Sequence, residues 1–282
     1  MSTLFVPSLA ASPGRLPDNW SDRLLVATDG RSHSDAALRA ARALTGSATF
    51  DVLSVVDPTD AALDDARSAA PSSIDAQHAL VDEQLRRVLG ESNASILVRS
   101  GFPPAVLASF AMTHGSSLLV VGLGRPRVFD RLLGDESLYR LARMTRTPVF
   151  AVAAGVSTPP RRLIVATDFV APGTHAAMLA LSVAAFDAEV LLAHVSDPDA
   201  RSVEGRLRRL AESLQTGFCG RVKPVMLHGD PATELLALAT DRGADAIAFA
   251  THDHATTGNA SLGAVASRLV RCASCSVLLM PA

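Results

Sequence analysis

Two near-identical strings end in a residue that could do chemistry: Leu24–Asp29 reads LLVATD and Leu163–Asp168 reads LIVATD. A carboxylate at the end of a short apolar run can cap the following helix by accepting backbone N–H bonds, or it can face a ligand at the strand end. Its recurrence in both halves keeps both readings open. His252-Asp253-His254, with His228 nearby, offers donor types that ligate Zn²⁺, but the spacing is not specific for a metal. Cys272-Ala273-Ser274-Cys275 has the spacing of a redox or zinc knuckle, yet it precedes a final apolar run instead of opening a first helix, so structural thiols are the simpler reading. No nucleophile, base and orienting acid line up, and neither a His-x-Gly-His nor a Ser-Gly-Gly-x-Asp phosphate loop occurs. The chain is therefore expected not to be an enzyme.

The elements that position these residues also come in pairs. A Val-rich run ends at Asp57-Pro58 and a matching run at Asp197-Pro198; Gly101-Phe102-Pro103 is matched by Gly229-Asp230-Pro231. Each Gly-x-Pro opens an Ala/Leu-rich helical stretch closed by Gly115 or Gly243. Short β-branched runs alternate with stretches of helical period, the signature of successive βαβ units and a parallel sheet. Strands are predicted near 24–28, 49–56, 95–99, 117–121 and 149–153, and again near 163–167, 189–195, 222–227, 246–250 and 277–280. Five strands with right-handed crossovers make each half an α/β, doubly wound sheet. The expected division is an irregular leader at 1–20, a first domain at 21–154, a Gly/Ser/Pro linker at 155–160 and a second domain at 161–282. The Asp60–Ala79 stretch reads as a mobile connection into the second helix, and Arg201–Arg209 as the solvated face of a helix.

Composition narrows the function classes. The 282 residues are 48% apolar but hold one Trp, one Tyr and ten Phe, so the cores must be aliphatic and rich in Ala. Net charge is −2 and no basic face stands out, which argues against nucleic acid. No apolar run is long enough to span a bilayer, and the three cysteines are too few for a disulfide framework. A cytoplasmic protein is expected, without membrane or nucleic-acid partners.

The VATD string after the first strand, the Gly-x-Pro after the third and a glycine-punctuated loop after the fourth together resemble the universal stress protein family, twice over from Arg23 onward. The resemblance implies two tandem Rossmann-like domains of the adenine nucleotide alpha hydrolase-like type, an internal pseudo-dimer, with a homodimer and an unknown protein partner left open. It further implies a non-enzymatic stress-response role and an adenine nucleotide, ATP or ADP, with Mg²⁺ as companion. Many members hold it through Gly-x2-Gly-x9-Gly-Ser/Thr after strand four. In the first repeat Gly122, Gly124 and Gly134 stand at that motif, one residue short in the first spacer, with Asp135 in place of the hydroxyl residue and Ser137 beyond it. The matching strand-end residues are Ala27, Thr28, Asp29 and Val55. The second repeat carries Thr167, Asp168, Val195, Ala250, Asp253, Gly263 and Ala264, with glycines lost, and reads as degenerate. A phosphate loop must bring backbone N–H groups close to oxygens at a helix N-terminus, which glycine permits and a Cβ obstructs. Asp135 would compete for those donors, and Arg125, Arg127 and Arg131 would offset its charge. The alternative is a nucleotide-free scaffold acting through protein contacts.

Overall fold

The computed structural model describes residues 23–57, 74–90, 94–123, 135–155, 159–196, 201–251 and 263–281. The first repeat runs β1 (Leu24–Ala27), α1 (Asp35–Thr45), β2 (Phe50–Val56), α2 (Ile74–Leu89), β3 (Ala94–Ser100), α3 (Pro103–Thr113), β4 (Leu118–Leu123), α4 (Asp135–Met144) and β5 (Val149–Ala153). The second runs β6 (Arg162–Ala166), α5 (Ala171–Val183), β7 (Glu189–Val195), α6 (Arg201–Gln215), β8 (Arg221–Leu227), α7 (Pro231–Arg242), β9 (Ala246–Ala250), α8 (Ala264–Cys272) and β10 (Ser276–Met280).

Within each half the strand order is 3-2-1-4-5 and every pairing is parallel, so the order reverses beside β1 and β6. The two halves meet where β5 pairs antiparallel with β10, Ala151 opposite Val277 and Phe150 opposite Leu278, giving one ten-stranded sheet. That pairing covers what would be an open edge on each half. It is the internal pairing of like domains that the duplication implied.

Alternation along the buried strands feeds two cores. Leu24, Val26, Leu118 and Val120 face one helical layer, while Leu25, Ala27, Leu119 and Val121 face the other. Strands buried on both faces are the reason these runs are continuously apolar. One expected span needs correction: residues 74–79 are the first turns of α2, not connection, because Gln77, Val81, Gln84 and Leu85 recur at helical spacing and are buried. The earlier part of that stretch, the 1–20 leader and residues 156–158 of the linker lie outside the described residues. The helix expected over Arg201–Arg209 is α6, which buries Leu207, Ala211 and Leu214. Among the described residues, no helix is long and apolar enough to cross a membrane.

Candidate functional site

Both clefts lie at the carboxyl ends of the strands where strand order reverses, the place such sheets bind ligands. In the first repeat Ala27, Thr28, Asp29, Val55 and Gly122 do come together, joined by His33, Ser34, Leu53, Pro103 and Leu107, but they enclose only about 20 Å³. That is room for about one water. The cause is local. A 3₁₀ turn, Ser32–Ser34, presses onto the end of β4, so that a Cβ at Gly122 would stand 2.8 Å from the His33 carbonyl oxygen and from the Ser34 Cα. Gly122 is a glycine because the chain itself occupies the space beside it.

A buried polar network holds that turn. Thr28 donates to Gln84 Oε1 at 2.6 Å, and Gln84 Nε2 faces the Arg31 carbonyl, Ser34 Oγ and Asp35 Oδ1 at 2.7, 3.0 and 2.8 Å. Gln77 donates to the Asp29 carbonyl and to Ser54 Oγ at 2.9 and 2.8 Å. Asp29 Oδ1 accepts from the Arg31 N–H at 3.0 Å and from Ser34 Oγ at 3.2 Å. His33 Nε2 lies 3.2 Å from the buried Oδ2, and Arg31 Nε 3.8 Å from it. Burial pushes the Asp29 carboxyl up, but the His33 ring and the Arg31 N–H outweigh it and hold the group below its ordinary value. Asp29 thus anchors the turn that follows β1.

The second repeat keeps the frame and removes the filling. Through the VATD strings Ser34 aligns with Gly173, and through the strand pairings Leu53 aligns with Ala193. A Cβ at Gly173 would stand 2.9 Å from Asp168 Oδ1, so the missing side chain leaves room for that carboxylate. Asp168 is exposed, where Asp29 is buried, and its Oδ1 accepts from the Val170 N–H at 3.0 Å. The resulting cavity holds about 380 Å³, within the range of small-molecule sites. Ala166, Ala193, Val195, Leu235 and Phe249 give it apolar walls; Thr167, Asp168 and His194 are its polar groups. His194 donates its Nδ1–H to the Thr167 carbonyl at 2.6 Å, which ties β7 to the end of β6. Gly263 and Ala264, the cap and first residue of α8, also line it, and among the described residues nothing lies within 4 Å of where a Gly263 Cβ would be. The N–H groups of a helix N-terminus can receive an anion.

Of the other sequence-predicted positions, Gly124, Gly134 and Asp253 lie outside the described residues, as do Arg125, Arg127, Arg131, His252 and His254. Asp135 and Ser137 fall in the first turn of α4. Ala250 lines the second cavity beside Gly263. Among the described residues, the space at the strand ends is about 380 Å³ in the second repeat and about 20 Å³ in the first. His33, Ser34, Gln77, Gln84 and His194 were missed by sequence reasoning; for His33 and Ser34 the signal available was the divergence of the two repeats just after VATD. His228 donates Nδ1–H to the Ser196 carbonyl at 3.0 Å, and no metal-binding cluster occurs among the described residues. Burial pushes the Cys275 thiol up to about 11 while Cys272 is exposed, which fits structural thiols better than a reactive pair.

Two parallel halves of one sheet, each of order 3-2-1-4-5 with a cleft at the reversal, define a tandem Rossmann-like protein. The model of the universal stress protein family matches residues 21–153 and 160–281, and the chain belongs to that family. A universal stress protein from Archaeoglobus fulgidus DSM 4304 is similar at 18% identity and TM-score 0.65, over 93% of this chain and 98% of its own. A functionally unknown protein from Pseudomonas aeruginosa PAO1 is similar at 16% identity and TM-score 0.60, over 93% of this chain and 94% of its own. A putative universal stress protein from Pseudomonas aeruginosa UCBPP-PA14 is similar at 16% identity and TM-score 0.60, over 92% and 93%. A comparison with the curated proteins finds no match.

Proposed function

We propose that this chain is a non-catalytic stress-response protein that holds an adenine nucleotide, and that the second repeat is the copy that holds it. The observation that carries this reading is the 380 Å³ cavity at the ends of β6 and β7, against about 20 Å³ at the matching place in the first repeat. The apolar walls suit a base, Asp168 faces the adenosine, and the N–H groups at the start of α8 receive the phosphates. The first repeat is then a structural partner whose cleft is filled by its own turn. ATP turnover is not part of the reading, since Asp168 is the one carboxylate among the described lining residues.

Calorimetric titration with ATP and Mg²⁺ tests it. Asp168→Ala, which removes a polar contact, and Ala193→Leu, which restores the bulk of Leu53, are each expected to weaken ATP at least about tenfold, the loss of roughly 1.4 kcal/mol. Dependence on Asp29 and not on Asp168 would instead assign the nucleotide to the first repeat, and no binding at all would leave the scaffold reading.

A further inference from the structure

Repeat 2 carries another concavity, of about 290 Å³, lined by Phe169, Thr174, Arg206, Arg209 and Leu210 between α5 and α6. It shares no lining residue with the nucleotide cavity. In repeat 1 the matching place is occupied by a carboxylate. Thr174 aligns with Asp35 through the VATD strings, and Asp35 is clamped by Gln84 at 2.8 Å and by both terminal nitrogens of Arg87 at 2.7 and 2.8 Å. The core positions Val81, Leu85 and Val88 of α2 match Leu207, Ala211 and Leu214 of α6, which sets Leu80 against Arg206 and Gln84 against Leu210. One contact checks that alignment independently: a Cβ on Gly30 would meet Leu80, and the residue aligned with Gly30, Phe169, meets Arg206.

So repeat 2 has lost the internal carboxylate and gained cations around the space it left. The Arg206 Cζ stands 4.6 Å from the centroid of the Phe169 ring; a guanidinium stacked this way keeps its N–H edge for a carboxylate or phosphate oxygen pair. Phe169 is held at φ 66° to make that stack, where repeat 1 uses glycine at φ 83°; left-handed backbone at a bulky residue persists where surrounding contacts demand it. Among the described residues, Arg208 pairs with Glu204 on this helix, whereas Arg206 and Arg209 meet no acid.

We propose that this concavity binds an oxyanion, the carboxylate or phosphate group of a small molecule, in the position that the Asp35 carboxylate fills in repeat 1. Inorganic phosphate and, separately, acetate are titrated into the full chain at constant ionic strength, with heat and melting temperature as readouts. Saturable binding is expected, weakened at least about tenfold by Arg209→Gln, the loss of a charge-assisted hydrogen bond. Thr174→Asp is expected to abolish binding and to raise the melting temperature without any anion, because it supplies the missing carboxylate. A response to phosphate alone, or to acetate alone, supports the site and identifies the group. No saturable response to either, or one that both variants leave unchanged, overturns the proposal; if Thr174→Asp fails to fold, Arg209→Gln decides it.

Discussion

The β1–α1 corner and the β6–α5 corner start from the same four residues, Val-Ala-Thr-Asp, and then do opposite things. In the first, the backbone turns left-handed at Gly30, a short 3₁₀ turn follows, and Thr28, Asp29, Ser34, Asp35, Gln77 and Gln84 are buried in one polar network. In the second, Phe169 takes the left-handed position, Gly173 replaces Ser34, and Asp168 stays exposed beside an open cavity. The first corner has spent its polar groups on itself, so every buried donor and acceptor must find its partner inside the protein. The second leaves Thr167, Asp168 and His194 lining a cavity.

Three changes would break or sharpen that contrast. The largest effect is expected for Gly30→Ala, whose Cβ would fall 2.5 Å from Leu80 Cγ on a backbone at φ +83°. Overpacking and left-handed strain together should cost about 3 kcal/mol in urea unfolding. The matched Phe169→Ala, already at positive φ, should cost about 1 kcal/mol, mainly the lost cation–π stack; equal losses would mean that the corners are not differently packed. Gln84→Leu, which copies Leu210, should cost about 2 kcal/mol by leaving Thr28, Ser34 and Asp35 short of partners. A neutral outcome would show that water replaces the amide.

The smallest effect is expected from pH. Burial pushes Asp35 up as it does Asp29, but hydrogen bonds from Arg87 and Gln84 prevail, so both carboxyls sit below the ordinary value of 3.8. A depressed folded value means their stabilisation is complete above about pH 4 and is lost as pH falls through the folded values. Acid unfolding should therefore lose part of its steepness below that pH in Asp35→Asn. An unchanged slope would place the acid-sensitive groups elsewhere.

Much of the architecture was legible because it rests on short-range pattern. The apolar runs that became β1, β4, β6 and β9, the two Gly-x-Pro helix starts and the repeated VATD are local signals, and each falls within a residue or two of its expected place. The start of α2 was misread because the stretch before it is rich in Ala, Ser and Asp; the loop after β1 packed over Gln77 and Gln84 makes them core. The glycines were legible as positions but not as roles. Gly122 could admit a phosphate or a turn of the chain's own backbone, and the choice depends on Ser32–Ser34, which lies far from it in sequence.

By itself, then, the sequence determined the duplication, the strand and helix order and the family, since hydrophobic period and motif spacing are carried by neighbouring residues. The tertiary structure alone decided that β5 and β10 join the halves into one sheet and that, among the described residues, the strand ends of the second repeat line far more space than those of the first. Those outcomes depend on side-chain volume and hydrogen-bond partners brought together from separate elements, Leu53 against Ala193 and Ser34 with Gln84 against Gly173 with Leu210, and cavity volume is a property of such meetings, not of any one segment.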